Sequence, residues 1–192
     1  PKIQEKVGKY TERRKEVSSK ERNPNTNRTA CKFITKVLIP GTIHPDVVGH
    51  TSSLLGKKIT RELREIRGWV YDVDVSFLNI QGTYYVLTIL CDGVDPSVVD
   101  QVKDLIDVTI GSLHQSETEF HEMRQSIRAG HMYFDPTIDG IADGIITDLV
   151  TYQRIQTIAE RRAAFEAVSF QELLNLLPLL ATDNRWTCIT RP

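Results

Sequence analysis

Residues 29–41, TACKFITKVLIPG, set Cys31, Phe33, Val37 and Ile39 on one side against Lys32, Ile34, Lys36 and Leu38 on the other. That period of two predicts a strand, and Pro40-Gly41 closes it. HPDVVGHTSSLL then changes the period: Val48, Thr51 and Leu55 recur at helical spacing, and Pro45 suits a first turn. Gly56 loosens the pattern before KKITRELREIR resumes it through Ile59, Leu63 and Ile66. Gly68 is the natural left-handed cap, because a residue without Cβ reaches positive φ cheaply. WVYDVDVSF follows, with Trp69, Tyr71, Val73, Val75 and Phe77 alternating with Asp72, Asp74 and Ser76. NIQG reads as a turn, and TYYVLTILCD returns, apolar on both faces and therefore central in the sheet.

The second half is mostly helical. Asp95 and Pro96 open a helix carrying Val98, Val102, Leu105 and Thr109. Ser116 with Glu119 has the spacing of a capping box for ETEFHEMRQSIRAGH. Residues 138–167 read as two more helices, and Ser169 with Glu172 caps FQELLNLLPLL, which Pro178 breaks. NRWTCIT closes the chain as a short strand. The order β-α-β-β-α-α, then further helices and a final strand, predicts an α/β two-layer sandwich. Its sheet is mixed and mainly antiparallel, with helices packed on one face. The expected organisation is a basic polar N-terminal extension over residues 1–28 and a single domain over 29–192.

Composition changes little in this picture. The chain has 192 residues, 40% hydrophobic and 26% charged, with a net charge of −1. No global charge argues for nucleic acid or an anionic membrane. The charge is uneven, with nine Lys/Arg against four Glu in residues 1–28. Because Glu interrupts the basic residues there, a solvated linker is expected. Cys31, Cys91 and Cys188 are too scattered for a disulfide framework, and buried free thiols in a reducing, cytoplasmic setting are expected. No run has the apolar length of a membrane span. The chain opens at Pro1, so it reads as a piece of something longer.

Chemistry is sparse. His44, His50, His114, His121 and His131 include no pair at the spacing of a helical zinc site. HQSET at 114–118 has the first His and the Glu of H-x-x-E-H but ends in Thr118. No G-x-S-x-G, activated cysteine setting or glycine-rich phosphate loop is present. One stretch stands out. In LREIRGWVYDV the reversal at Gly68 folds Tyr71 back beside the helix end that carries Arg64. A guanidinium and a phenol converging there could hydrogen-bond a carbonyl oxygen. Spacing equally allows Arg64 to serve the helix dipole while Tyr71 joins Trp69 in the core.

The segment LLGKKITRELREIRGWVYDVDVSF resembles that of pitrilysin/insulinase-type metallopeptidases, in which a glycine-broken helix runs into an L-R-E-x-R-G-x-x-Y strand. TKVLIPG, CDGVDPSVVDQVKDLI, SETEFHEMRQSIRAG and SFQELL resemble the family's flanking elements in order, covering roughly residues 29–190. The resemblance implies a clamshell in which one half carries zinc through H-x-x-E-H and the other supplies an Arg/Tyr pair. This chain has the pair, Arg64 and Tyr71, without the zinc motif. The implied role is a zinc-less, inactive domain that clamps a peptide substrate, with zinc held by a partner domain or subunit. Such a chain is inactive alone, and its assembly is a heterodimer with the zinc-bearing half or a homodimer. LLGKK thins the family's glycine cluster, and a non-catalytic scaffold homologue or a peptide-binding α/β domain stays open beside that reading.

Overall fold

The computed structural model describes residues 17–19, 30–80, 82–131 and 138–190. Most of the expected N-terminal extension lies outside the described residues. Within it, β1 (Val17–Ser19) pairs in parallel with the last strand, β5 (Arg185–Thr190). The other strands are β2 (Cys31–Pro40), β3 (Asp72–Ile80) and β4 (Tyr84–Val94), and the sheet order is β1-β5-β2-β4-β3. Every pairing from β5 across to β3 is antiparallel. The helices are α1 (Pro45–Thr60), α2 (Val99–Gly111), α3 (Glu117–His131), α4 (Ile138–Tyr152), α5 (Ile158–Ala167) and α6 (Phe170–Leu174). This is the expected sandwich, helices on one face of a mainly antiparallel sheet. No single helix among the described residues is long and apolar enough to cross a membrane.

Strand alternation sorts the two faces. Cys31, Phe33, Thr35, Val37 and Ile39 of β2 are buried, as are Tyr85, Leu87, Ile89 and Cys91 of β4. They meet Val47, Val48, Leu54, Leu55, Ile59 and Leu63 from the first helical segment, and Val102 and Ile106 from α2. Each such side chain, taken fully out of water, contributes about 1.5–3 kcal/mol before entropy is counted. Cys31 and Cys91 are buried free thiols as expected, whereas Cys188 is only half-buried.

Three local expectations need correction. Gly56 does not break the helix: α1 runs through it and lies against Val75, where even an added Cβ would make ordinary contact at 3.6 Å. Trp69–Tyr71 is not yet strand, since β3 starts at Asp72 after the left-handed turn at Gly68. Ser116 and Glu119 form no reciprocal box. Lys58 from α1 takes both, its Nζ donating to Ser116 Oγ at 2.7 Å and Glu119 Oε1 at 3.1 Å. A lysine from another element supplies a charge-assisted partner that no local spacing reveals. The box at Ser169/Glu172 is present as expected, and a second stands at Thr157/Glu160.

Candidate functional site

The site begins with a helix that widens. After α1, residues Arg61–Ile66 adopt π-helical hydrogen bonding, anchored by Leu63, which is fully buried. The turn is closed by Gly68 N–H donating to Arg64 carbonyl at 3.2 Å and Trp69 N–H to Leu63 carbonyl at 2.9 Å. Gly68 has φ +63°, and an added Cβ would meet nothing within 4 Å, so backbone conformation rather than space selects glycine there.

Arg64 and Arg67 of this turn go different ways. Arg67 is tied down: its Nη1 donates to Glu62 Oε2 at 2.5 Å and to Glu62 carbonyl at 3.0 Å, and its guanidinium lies 5.4 Å from the Trp69 ring centroid. Arg64 points outward, its side chain 54% exposed, with Nη1 4.0 Å from Asp72 Oδ1. A pair that long and that exposed holds the guanidinium loosely and leaves its donors available.

Tyr71 is 77% exposed. It does not share the core with Trp69 and Val70, which turn inward before it. Its N–H donates to Asp92 carbonyl at 2.9 Å, which fixes the residue at the mouth of β3 beside β4. Arg64, through its contact with Asp72, and Tyr71, the residue before Asp72, both lie near the start of β3, with both side chains exposed. Nearby, Lys32 faces Asp92 at 3.9 Å. An exposed guanidinium and an exposed phenol can each donate a hydrogen bond to an external oxygen.

The described histidines form no such cluster. His50 is a core residue, with Nδ1 2.6 Å from Asp46 carbonyl and its ring 4.3 Å from that of Phe165. His114 is exposed, with Nδ1 2.7 Å from Gly111 carbonyl. Among the described residues, no group of three or more His, Cys, Asp or Glu side chains is placed to hold a metal ion.

Sequence reasoning missed Gly93. It has φ +66°, and an added Cβ would lie 2.5 Å from Tyr71 Cβ. The Asp-Gly step in CDGVD carried the turn signal, but which residue would press on it depends on the sheet register. Also missed was the half-buried pair of Arg185 and Asp107, which ties β5 to α2.

No family model and no curated protein sequence matches this chain. Solved structures do. The periplasmic protease PqqL from Escherichia coli is 16% identical with a TM-score of 0.71, over 92% of this chain and 20% of that one. A peptidase M16 inactive domain from Pseudomonas fluorescens is 12% identical with a TM-score of 0.68, over 92% and 42%. A chain of complex III2 from Candida albicans is 11% identical with a TM-score of 0.73, over 92% and 45%. This chain thus spans between 20% and 45% of the length of these structures. Its fold is that of the pitrilysin/insulinase-type, or M16, peptidase domains.

Proposed function

We propose that this chain is the zinc-less, substrate-clamping domain of a pitrilysin/insulinase-like peptidase. In this reading a partner domain or subunit bearing H-x-x-E-H holds zinc, and Arg64 and Tyr71 receive the carbonyl oxygen of the peptide under attack. The observation that carries the proposal is the outward pair at the mouth of β3: Arg64 loosely held by Asp72, and Tyr71 standing free of the core. A carbonyl oxygen gains negative charge as it is attacked. Donors already aimed at it stabilise that charge without reorganising.

The test is reconstitution with the zinc-bearing half. Arg64→Ala or Tyr71→Phe is expected to lower turnover by on the order of 10²-fold while leaving association intact. Wild-type turnover in both variants would refute the role of the pair. A second reading, a non-catalytic scaffold of the same fold, draws on the resemblance to a chain of complex III2 and to an inactive M16 domain. It predicts that no partner confers peptide hydrolysis on the assembly.

A further inference from the structure

Four of the carboxylates near Arg64 and the start of β3 divide the neighbouring donors among them. Glu62 takes Arg67, through its Oε2 at 2.5 Å. Asp92 accepts the Gly93 N–H on Oδ1 at 2.9 Å and faces Lys32 Nζ with Oδ2 at 3.9 Å. Asp74 accepts the Ser76 hydroxyl on Oδ2 at 2.8 Å. Asp72 is left with Arg64, its Oδ1 4.0 Å from Nη1. The register sets Asp72 directly beside Asp92, and like charges across a strand pair repel. Lys32 and the Gly93 N–H offset one of these charges, and Arg64 offsets the other.

Arg64 and Tyr71 differ in how they are placed. Tyr71 is fixed through its backbone, whose N–H donates to Asp92 carbonyl at 2.9 Å. The Arg64 guanidinium ends a long side chain that is 54% exposed, and Asp72, 60% exposed, is what stands across from it. So exposed and long a pair is weak enough for an incoming acceptor to displace, yet it biases where the guanidinium lies. Ordering a rotamer-rich side chain before the substrate arrives lowers the cost of using it afterwards.

We infer that Asp72 is a positioning residue for Arg64. It holds the guanidinium at the start of β3, one residue from Tyr71, and yields it to the peptide carbonyl as charge develops there. The inference rests on the reading that Arg64 and Tyr71 receive that carbonyl. Asp72 acts through Arg64 and not on the peptide itself.

The test is steady-state kinetics of the chain reconstituted with its zinc-bearing half. Asp72→Asn keeps the shape and removes the charge, and is expected to lower kcat about two- to fivefold with KM unchanged. Asp72→Glu should restore most of the loss. In an Arg64→Ala background Asp72→Asn should cost nothing further, because the two residues act as one unit. The gap between wild type and Asp72→Asn should close in about 1 M salt, where charges are screened within about 3 Å. On the purified chain, NMR relaxation of the Arg64 Nε–H should report a more mobile guanidinium in Asp72→Asn than in wild type. Wild-type kcat in Asp72→Asn, an equal loss with Arg64 already removed, or unchanged Arg64 mobility would each overturn the inference. If Arg64→Ala lowers turnover and Asp72→Asn does not, the pair keeps its role and this inference alone fails. Wild-type turnover in Arg64→Ala would remove both.

Discussion

Gly93 and Tyr71 are packed backbone against side-chain root: a Cβ at Gly93 would lie 2.5 Å from that of Tyr71. Gly93 also holds φ +66°, a conformation that L side chains rarely adopt. Gly93→Ala therefore meets both a clash and backbone strain. A loss of about 1–3 kcal/mol is expected in denaturant unfolding. Because Tyr71 must move to relieve the contact, Gly93→Ala should lower turnover of the reconstituted enzyme as well. A neutral Gly93→Ala would mean that the two residues do not press on each other.

Stability should depend on the buried faces and be indifferent to the outward pair. Phe33 and Leu87 are each 1% exposed. Phe33→Ala and Leu87→Ala are expected to cost about 2–5 kcal/mol each. Tyr71→Phe removes a solvent-facing hydroxyl and should stay within about 0.5 kcal/mol of wild type. Urea midpoints decide this, and a Tyr71→Phe loss as large as the core truncations would show a structurally bonded phenol.

Thiol reactivity should follow burial. Desolvation pushes the Cys91 thiol up to about 12, so almost no thiolate forms at neutral pH. Cys188 is only half-buried. Iodoacetamide followed by peptide mass mapping should label Cys188 first and Cys91 only after unfolding. Labelling Cys91 as fast as Cys188 in the folded chain would contradict the packing of β4.

Acid should loosen the cap of α5. The Thr157 backbone N–H, then Arg154 and the Thr157 hydroxyl, hold the Glu160 carboxyl down to about 2 from 4.5. Ser169 lowers Glu172 in the same way. A folded pKa below the unfolded one gives stability that is complete above the unfolded value and lost as pH falls through the folded one. Cap stability should therefore decline from about pH 4.5 toward about pH 2. Circular dichroism of Glu160→Gln should show lower stability at neutral pH and a shallower decline over that window. An identical acid profile in wild type and variant would exclude the cap as a source of the pH dependence.

The sheet was legible because strand alternation is a direct image of two faces in different solvents. Phe33, Val37 and Ile39 name one side of β2 without any knowledge of what covers it. Gly68 was legible for a similar reason, since its conformation is a local property. Interactions set by tertiary approach were not. Lys58 displaced the Ser116/Glu119 box because a helix distant in sequence delivers an ammonium group there. Gly56 looked like a weak point in a helix, yet it marks where that helix lies against Val75. Tyr71 continued the apolar alternation of Trp69 and Val73, so the pattern placed it on the apolar face, yet it is exposed. The turn after Gly68 ends only at Asp72, and Tyr71 leaves it toward water.

The widened turn at Arg61–Ile66 carries one residue more than an α-helix needs over the same rise. Removing a single residue from it would restore ordinary winding and leave the helix on either side in nearly the same phase. The side of α1 at Gly56 would then stay against Val75. The segment should thus tolerate the loss of one residue, where a plain α-helix would turn by about 100°. Deletion of the exposed Glu65 should give a folded chain, and an unfolded one would mean that the widened turn is required.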